Sequence, residues 1–182
     1  MTRHLASTVF VAGAVLLTTG PVVAEGVTDT VEVTLDGVAQ IWPIIGPDSE
    51  FPAEDVHFRD FGFVWQASLQ AVGPAPSPSD EAEEAVAPVL TITFSGLDGD
   101  IAATEASIVL VTGPDARRYV SAEGDGGLVQ VEQLDLADDA ALTAGSFEAQ
   151  LCLREGVFSP AGTEDCHTIT GRFSARLPRD DL

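Results

Sequence analysis

The side chains best suited to chemistry in this 182-residue chain are two cysteines and three histidines, set among 29 acidic and 8 basic residues. His57 lies within Glu54-Asp55-Val56-His57-Phe58-Arg59-Asp60. In an extended segment Asp55 and His57 share a side, which makes them candidate ligands for a transition metal. Neither HExxH nor paired CxxC spacing, the patterns that define a strong zinc site, accompanies them. Asp98-Gly99-Asp100 with Glu105 is the candidate calcium loop, and Asp125 in its glycine turn is a second. Ca²⁺ takes six to eight oxygens, usually from a longer patterned loop, so both stretches also read as plain turns. No GxSxG motif is present to place a serine nucleophile, and no spacing supports a triad on His57 or His167.

The absences are informative. The chain has no Lys and no Asn, and its one Met is the first residue. A Schiff-base lysine, a phosphate-loop lysine, an N-glycosylation site and a thioether copper site are therefore excluded. A net charge of −21 excludes nucleic acid as a partner, because phosphate binding relies on Lys and Arg to displace counterions. It suits a basic protein partner, divalent cations or simple solubility in a salty environment. The missing Lys and Asn, both encoded by A-rich codons, point to a GC-rich bacterial source.

Residues 1–24 read as a secretory leader. Arg3 and His4 give a short positive start, Leu5 to Leu17 is mostly apolar, and Val22-Val23-Ala24 offers small residues before Glu25. The apolar run falls short of the roughly 20 residues that span a bilayer. Cleavage at Ala24–Glu25 and export to the periplasm or medium are expected, with no membrane span left in the mature chain. An oxidising compartment then makes Cys152 and Cys166 a disulfide.

The elements that must carry these residues are strands. Val31, Val33 and Leu35 alternate with polar neighbours, and Asp36-Gly37 separates them from Val38 to Ile45, a strong hairpin signal. Phe61, Phe63, Trp65, Ala67 and Leu69 fall on one face of a longer strand. Residues 73–88, rich in Pro, Ala and acids, read as a surface loop. Leu90 to Phe94 and the run around Ile108–Leu110 are further strands. Arg117–Ser121 and Leu128–Leu134 flank a glycine-rich turn and suggest another hairpin. Short helical pieces are expected around Ile101–Ala106 and Ala137–Leu142.

The last two strands are the best patterned. Phe147, Ala149, Leu151 and Leu153 share one face, and Ile169, Phe173, Ala175 and Leu177 share another with His167 and Gly171. If the cysteines face each other, Gln150 opposes Thr168 and Glu148 opposes Thr170, with Arg172 diagonal to Glu148 for an ion pair. His167 then stands opposite Leu151 as a half-buried histidine bonded to backbone. Trp65 belongs to the core face by parity. Trp42 precedes Pro43, which suits an edge strand, and makes Trp42 the candidate docking side chain there.

Together these readings give an all-β chain: residues 25–182 form one antiparallel β-sandwich or squat barrel of about eight to ten strands with short helical turns. The function expected is that of a non-catalytic, exported, acidic binding or accessory module with no cofactor. A small acidic inhibitor or chaperone of a basic exported protein is one alternative. A calcium-dependent, lectin-like carbohydrate-binding domain is the other.

Overall fold

A computed structural model describes residues 29–46, 56–75, 86–121, 127–156 and 159–180. The leader over 1–24, Asp55, Asp125 and the middle of the 73–88 loop lie outside the described residues. Among the described residues there are ten strands: β1 Thr30–Leu35, β2 Val38–Pro43, β3 His57–Asp60, β4 Val64–Val72, β5 Val89–Leu97, β6 Ala103–Thr112, β7 Arg117–Ser121, β8 Leu128–Leu136, β9 Ala140–Arg154 and β10 Cys166–Pro178. They form one antiparallel sheet in the order β2-β1-β10-β9-β7-β6-β5-β4-β3, with β8 also paired to β9. The sheet curls on itself until its ends meet, where Ile44 bridges Ala71 and Phe58 bridges Arg179. The inward side chains form one core that includes Val31, Trp42, Phe58, Leu69, Ile92, Leu110, Phe147 and Phe173.

The Asp-Gly turn forms as its sequence requires. Asp36 and Gly37 both take positive φ, 49° and 83°, as a type I′ hairpin turn demands. The β9–β10 register is the one that opposed cysteines dictate, with Cys152 facing Cys166, Gln150 facing Thr168 and Glu148 facing Thr170. The disulfide is formed. Arg172, however, reaches across β9 and bonds Glu132 of β8 at 2.6 Å instead of Glu148. β8 flanks β9 on its other edge, a neighbour that the hairpin sequence does not reveal.

Two aromatic rings on this hairpin lie over glycines. Phe147 is paired with Gly171 and Phe173 with Gly145. A Cβ on Gly171 would come within 2.5 Å of the Phe147 ring, and one on Gly145 within 2.8 Å of the Phe173 ring. Each ring covers the backbone that a side chain would otherwise shield.

Three local expectations are corrected. The pieces near 101–106 and 137–142 are not helical: Ala103 onward is β6 and Ala140 onward is β9. Long-range pairing with β5 and β10 overrides their alanine content. Second, β7 and β8 do not pair with each other. They lie end to end along β9, β7 against its last residues and β8 against its first half. Third, Phe61 and Phe63 are not core residues, because β4 begins only at Val64. Gly62 takes φ +83°, and Phe61 N–H donates to the Val64 carbonyl at 2.9 Å, so Phe61–Val64 is a turn.

Candidate functional site

That turn is the most distinctive surface of the molecule. It lies beside the β5–β6 turn: Val64 pairs with Leu97, and Asp98 N–H donates to the Phe63 carbonyl at 3.1 Å. The two turns expose four large apolar side chains, Phe61 at 42%, Phe63 at 75%, Leu97 at 54% and Ile101 at 47%. Exposed apolar residues scattered singly need no explanation, whereas a group on adjacent turns makes a candidate contact surface.

The tip is built on Trp65. Trp65 is buried and opposite Gly96, over which its indole lies so closely that a Cβ there would overlap it. The β5–β6 ladder shifts register between Ser95 and Gly96, bending the chain around the ring. The indole N–H donates to the carbonyls of Leu97 at 3.1 Å and Asp100 at 2.9 Å. Phe58 stacks beneath it at 6.2 Å, and Phe94 meets it edge-on at 5.9 Å. Side-chain caps tighten both turns: Asp60 Oδ1 accepts Gly62 N–H at 2.7 Å, and Asp100 Oδ1 accepts Ala102 N–H at 2.9 Å. Asp60, Asp98 and Asp100 are exposed around the apolar side chains. Arg59, next in chain, is held by Asp180 at 2.9 Å.

A second constellation clamps the start of β10. Asp36 accepts from Thr168 N–H at 2.9 Å through Oδ1, while its Oδ2 lies 2.6 Å from His167 Nδ1. His167 in turn sits edge-on to Tyr119, 4.6 Å between centroids. Arg117 lies 5.5 Å over the Tyr119 ring and is ion-paired to Asp165. The hydrogen bond from His167, chiefly, holds the Asp36 carboxyl below its usual range, and burial pushes the Tyr119 hydroxyl up. His167 does stand opposite Leu151, but its partner is a carboxylate and not backbone. Asp36 follows β1, which pairs directly with β10, and so reaches His167 across that pairing, a contact invisible in the local sequence.

The residues singled out from the sequence fare differently. Trp42 is fully buried, its indole N–H bonded to Gln40 Oε1 at 2.8 Å and its ring lying over Gly73, where a Cβ would come within 2.7 Å of it. It is not a docking side chain. β2 is indeed an edge strand, but its exposed apolar residues are Val38 and Ile41. His57 is buried on β3 opposite Ser68. Asp98 and Asp100 sit in the tip and Glu105 opposite Ser95 on β6. Among the described residues no group of three or more His, Cys, Asp or Glu side chains is placed to hold a metal ion. Nor is any helix among them long and apolar enough to cross a membrane.

Charge is distributed unevenly. Within the strands Glu32, Asp60, Glu105, Glu132, Asp135 and Glu148 are matched in number by Arg59, Arg117, Arg118, Arg154, Arg172 and Arg176. The strands are thus neutral as a set, and the net charge of −21 belongs to the segments between and beyond them.

Comparison with protein-family models, curated proteins and solved structures finds no match.

Proposed function

We propose that the protein is a non-catalytic, exported binding module that engages a basic protein partner through the tip formed by the β3–β4 and β5–β6 turns. The observation that carries this reading is the exposure of Phe61, Phe63, Leu97 and Ile101 on turns held in shape by the two indole hydrogen bonds of Trp65. A surface arranged this firmly presents its side chains at little ordering cost on association. The partner's sign follows from the exposed Asp60, Asp98 and Asp100 around those side chains: a complementary surface is apolar at its centre and cationic at its edge. Phenyl faces beside carboxylates also suit Arg or Lys side chains directly. Export is supported by the Cys152–Cys166 disulfide, which fits an oxidising compartment. The Asp36–His167 pair serves folding in this reading, since both carboxylate oxygens are engaged by the start of β10.

The test is photo-crosslinking in the exporting cell, with a benzophenone side chain replacing Phe63 in one variant and Gln150, exposed on β9, in another. A discrete adduct from position 63 and none from position 150 is expected. No adduct from 63, or the same adducts from both positions, would overturn the reading.

A further inference from the structure

Arg118 and Arg154 are directly opposed across the β7–β9 pairing. Their side chains leave the same face of the sheet, and like charges in directly opposed positions destabilise a strand pair. Four of the other arginines answer to carboxylates: Arg59 to Asp180, Arg117 to Asp165, Arg172 to Glu132 and Arg176 to Asp139. Arg179 donates to the Ala137 carbonyl. Arg118 and Arg154 have no such partner among the described residues. Moreover, Arg154 Nε is shut off from solvent and makes no hydrogen bond among the described residues. A buried donor left unmade costs the desolvation of that group, more so when the group is charged. In a chain with 29 carboxylates, an arginine pair that none of the described ones neutralises is conspicuous.

We infer that Arg118 and Arg154 together form an oxyanion site that takes a phosphoryl group. Directly opposed arginines on one face of paired strands put two guanidinium groups within reach of a common anion, and arginine matches the oxygen geometry of phosphate. The two charges of the pair suit a dianion better than a monocarboxylate. The adjoining Cys152–Val120 pairing ties β7 to the disulfide-bonded strand, so the two side chains project from a covalently anchored part of the sheet. The acidic charge of the molecule as a whole weakens anion binding from a distance, which places the affinity in the range of abundant ions and not of trace ligands. This site is independent of the tip.

The experiment is thermal unfolding of the intact protein at matched ionic strength, with inorganic phosphate, phosphoserine or acetate added. Phosphate should raise the midpoint saturably, by about 3–5 °C at tenfold excess over Kd, and acetate should not. Arg118→Gln should abolish that rise while raising the midpoint measured without phosphate, because it removes the repulsion. Arg154→Gln should abolish the rise as well, and Arg176→Gln should retain it. An equal rise with phosphoserine assigns the site to phosphoryl groups in general, and a rise with phosphate alone assigns it to the free ion. No rise with phosphate, or an equal rise in Arg118→Gln, would overturn the inference.

Discussion

The Cys152–Cys166 bond closes a loop of about 15 residues, which in the chain-entropy picture stabilises the fold by about 3 kcal/mol. Replacing both cysteines by Ala removes that constraint without leaving an unpaired thiol. The loss should not disorder the hairpin, because its register has other supports. Phe147 over Gly171 and Phe173 over Gly145 fix which residues can oppose each other, and Asp36 still holds Thr168 and His167. A slip by one residue would turn both phenyl rings outward. The expected outcome is therefore a native-like circular dichroism spectrum with a midpoint lower by about 6–12 °C, taking about 2–4 °C per kcal/mol for a chain of this size. Urea unfolding should show the same deficit, with a slightly larger m-value from the more open unfolded chain. Reductant should reproduce the shift in the parent and do nothing to the variant. A variant within about 0.5 kcal/mol of the parent would refute the assignment of about 3 kcal/mol to loop closure by this bond.

Other substitutions probe separate contacts. Gly171→Ala drives a methyl into the Phe147 ring and the Glu32 carbonyl and should cost about 1–3 kcal/mol, read as a lower urea midpoint. Trp65→Phe keeps the ring packing but strips the donor shared by Leu97 and Asp100; hydrogen exchange should accelerate over residues 97–102 while the rest of the sheet is unchanged. Because its folded-state carboxyl titrates below the ordinary 3.8, Asp36 contributes stability that is present above that pH and lost as acid titrates it. Asp36→Asn retains the turn preference for positive φ, so its stability–pH curve should be flatter on the acid side than the parent's.

What could be read from the sequence was local and periodic. The β9–β10 hairpin was legible because two long strands alternate cleanly and carry a cysteine at matching places, and the Asp-Gly turn because few residue pairs tolerate its backbone. Where the periodic pattern failed, a turn or a distant partner had decided the outcome. Phe61 and Phe63 continue the alternation of Trp65, Ala67 and Leu69, so parity assigned them to the core; the strand stops at Val64 because Gly62 turns the chain. Trp42 looked exposed because its strand lies at an edge, but the sheet curls and brings Gly73 against the indole. β7 and β8 resembled a hairpin, yet both pair with the unusually long β9, whose length let it serve two neighbours on one side. The tip itself left a trace in the sequence, large apolar residues beside glycine at Phe61-Gly62-Phe63 and near Gly99. Only the pairing of Val64 with Leu97 unites those two stretches.

Binding through the tip requires that its apolar side chains be dispensable for folding. The most direct measurement is the unfolding free energy of Phe63→Ser/Ile101→Ser, determined in urea beside the parent. Side chains exposed at 75% and 47% should cost no more than about 0.5 kcal/mol when replaced. A loss of about 2 kcal/mol or more, the cost of emptying a packed position, would mean that these residues belong to the core, and the proposed binding surface would not exist.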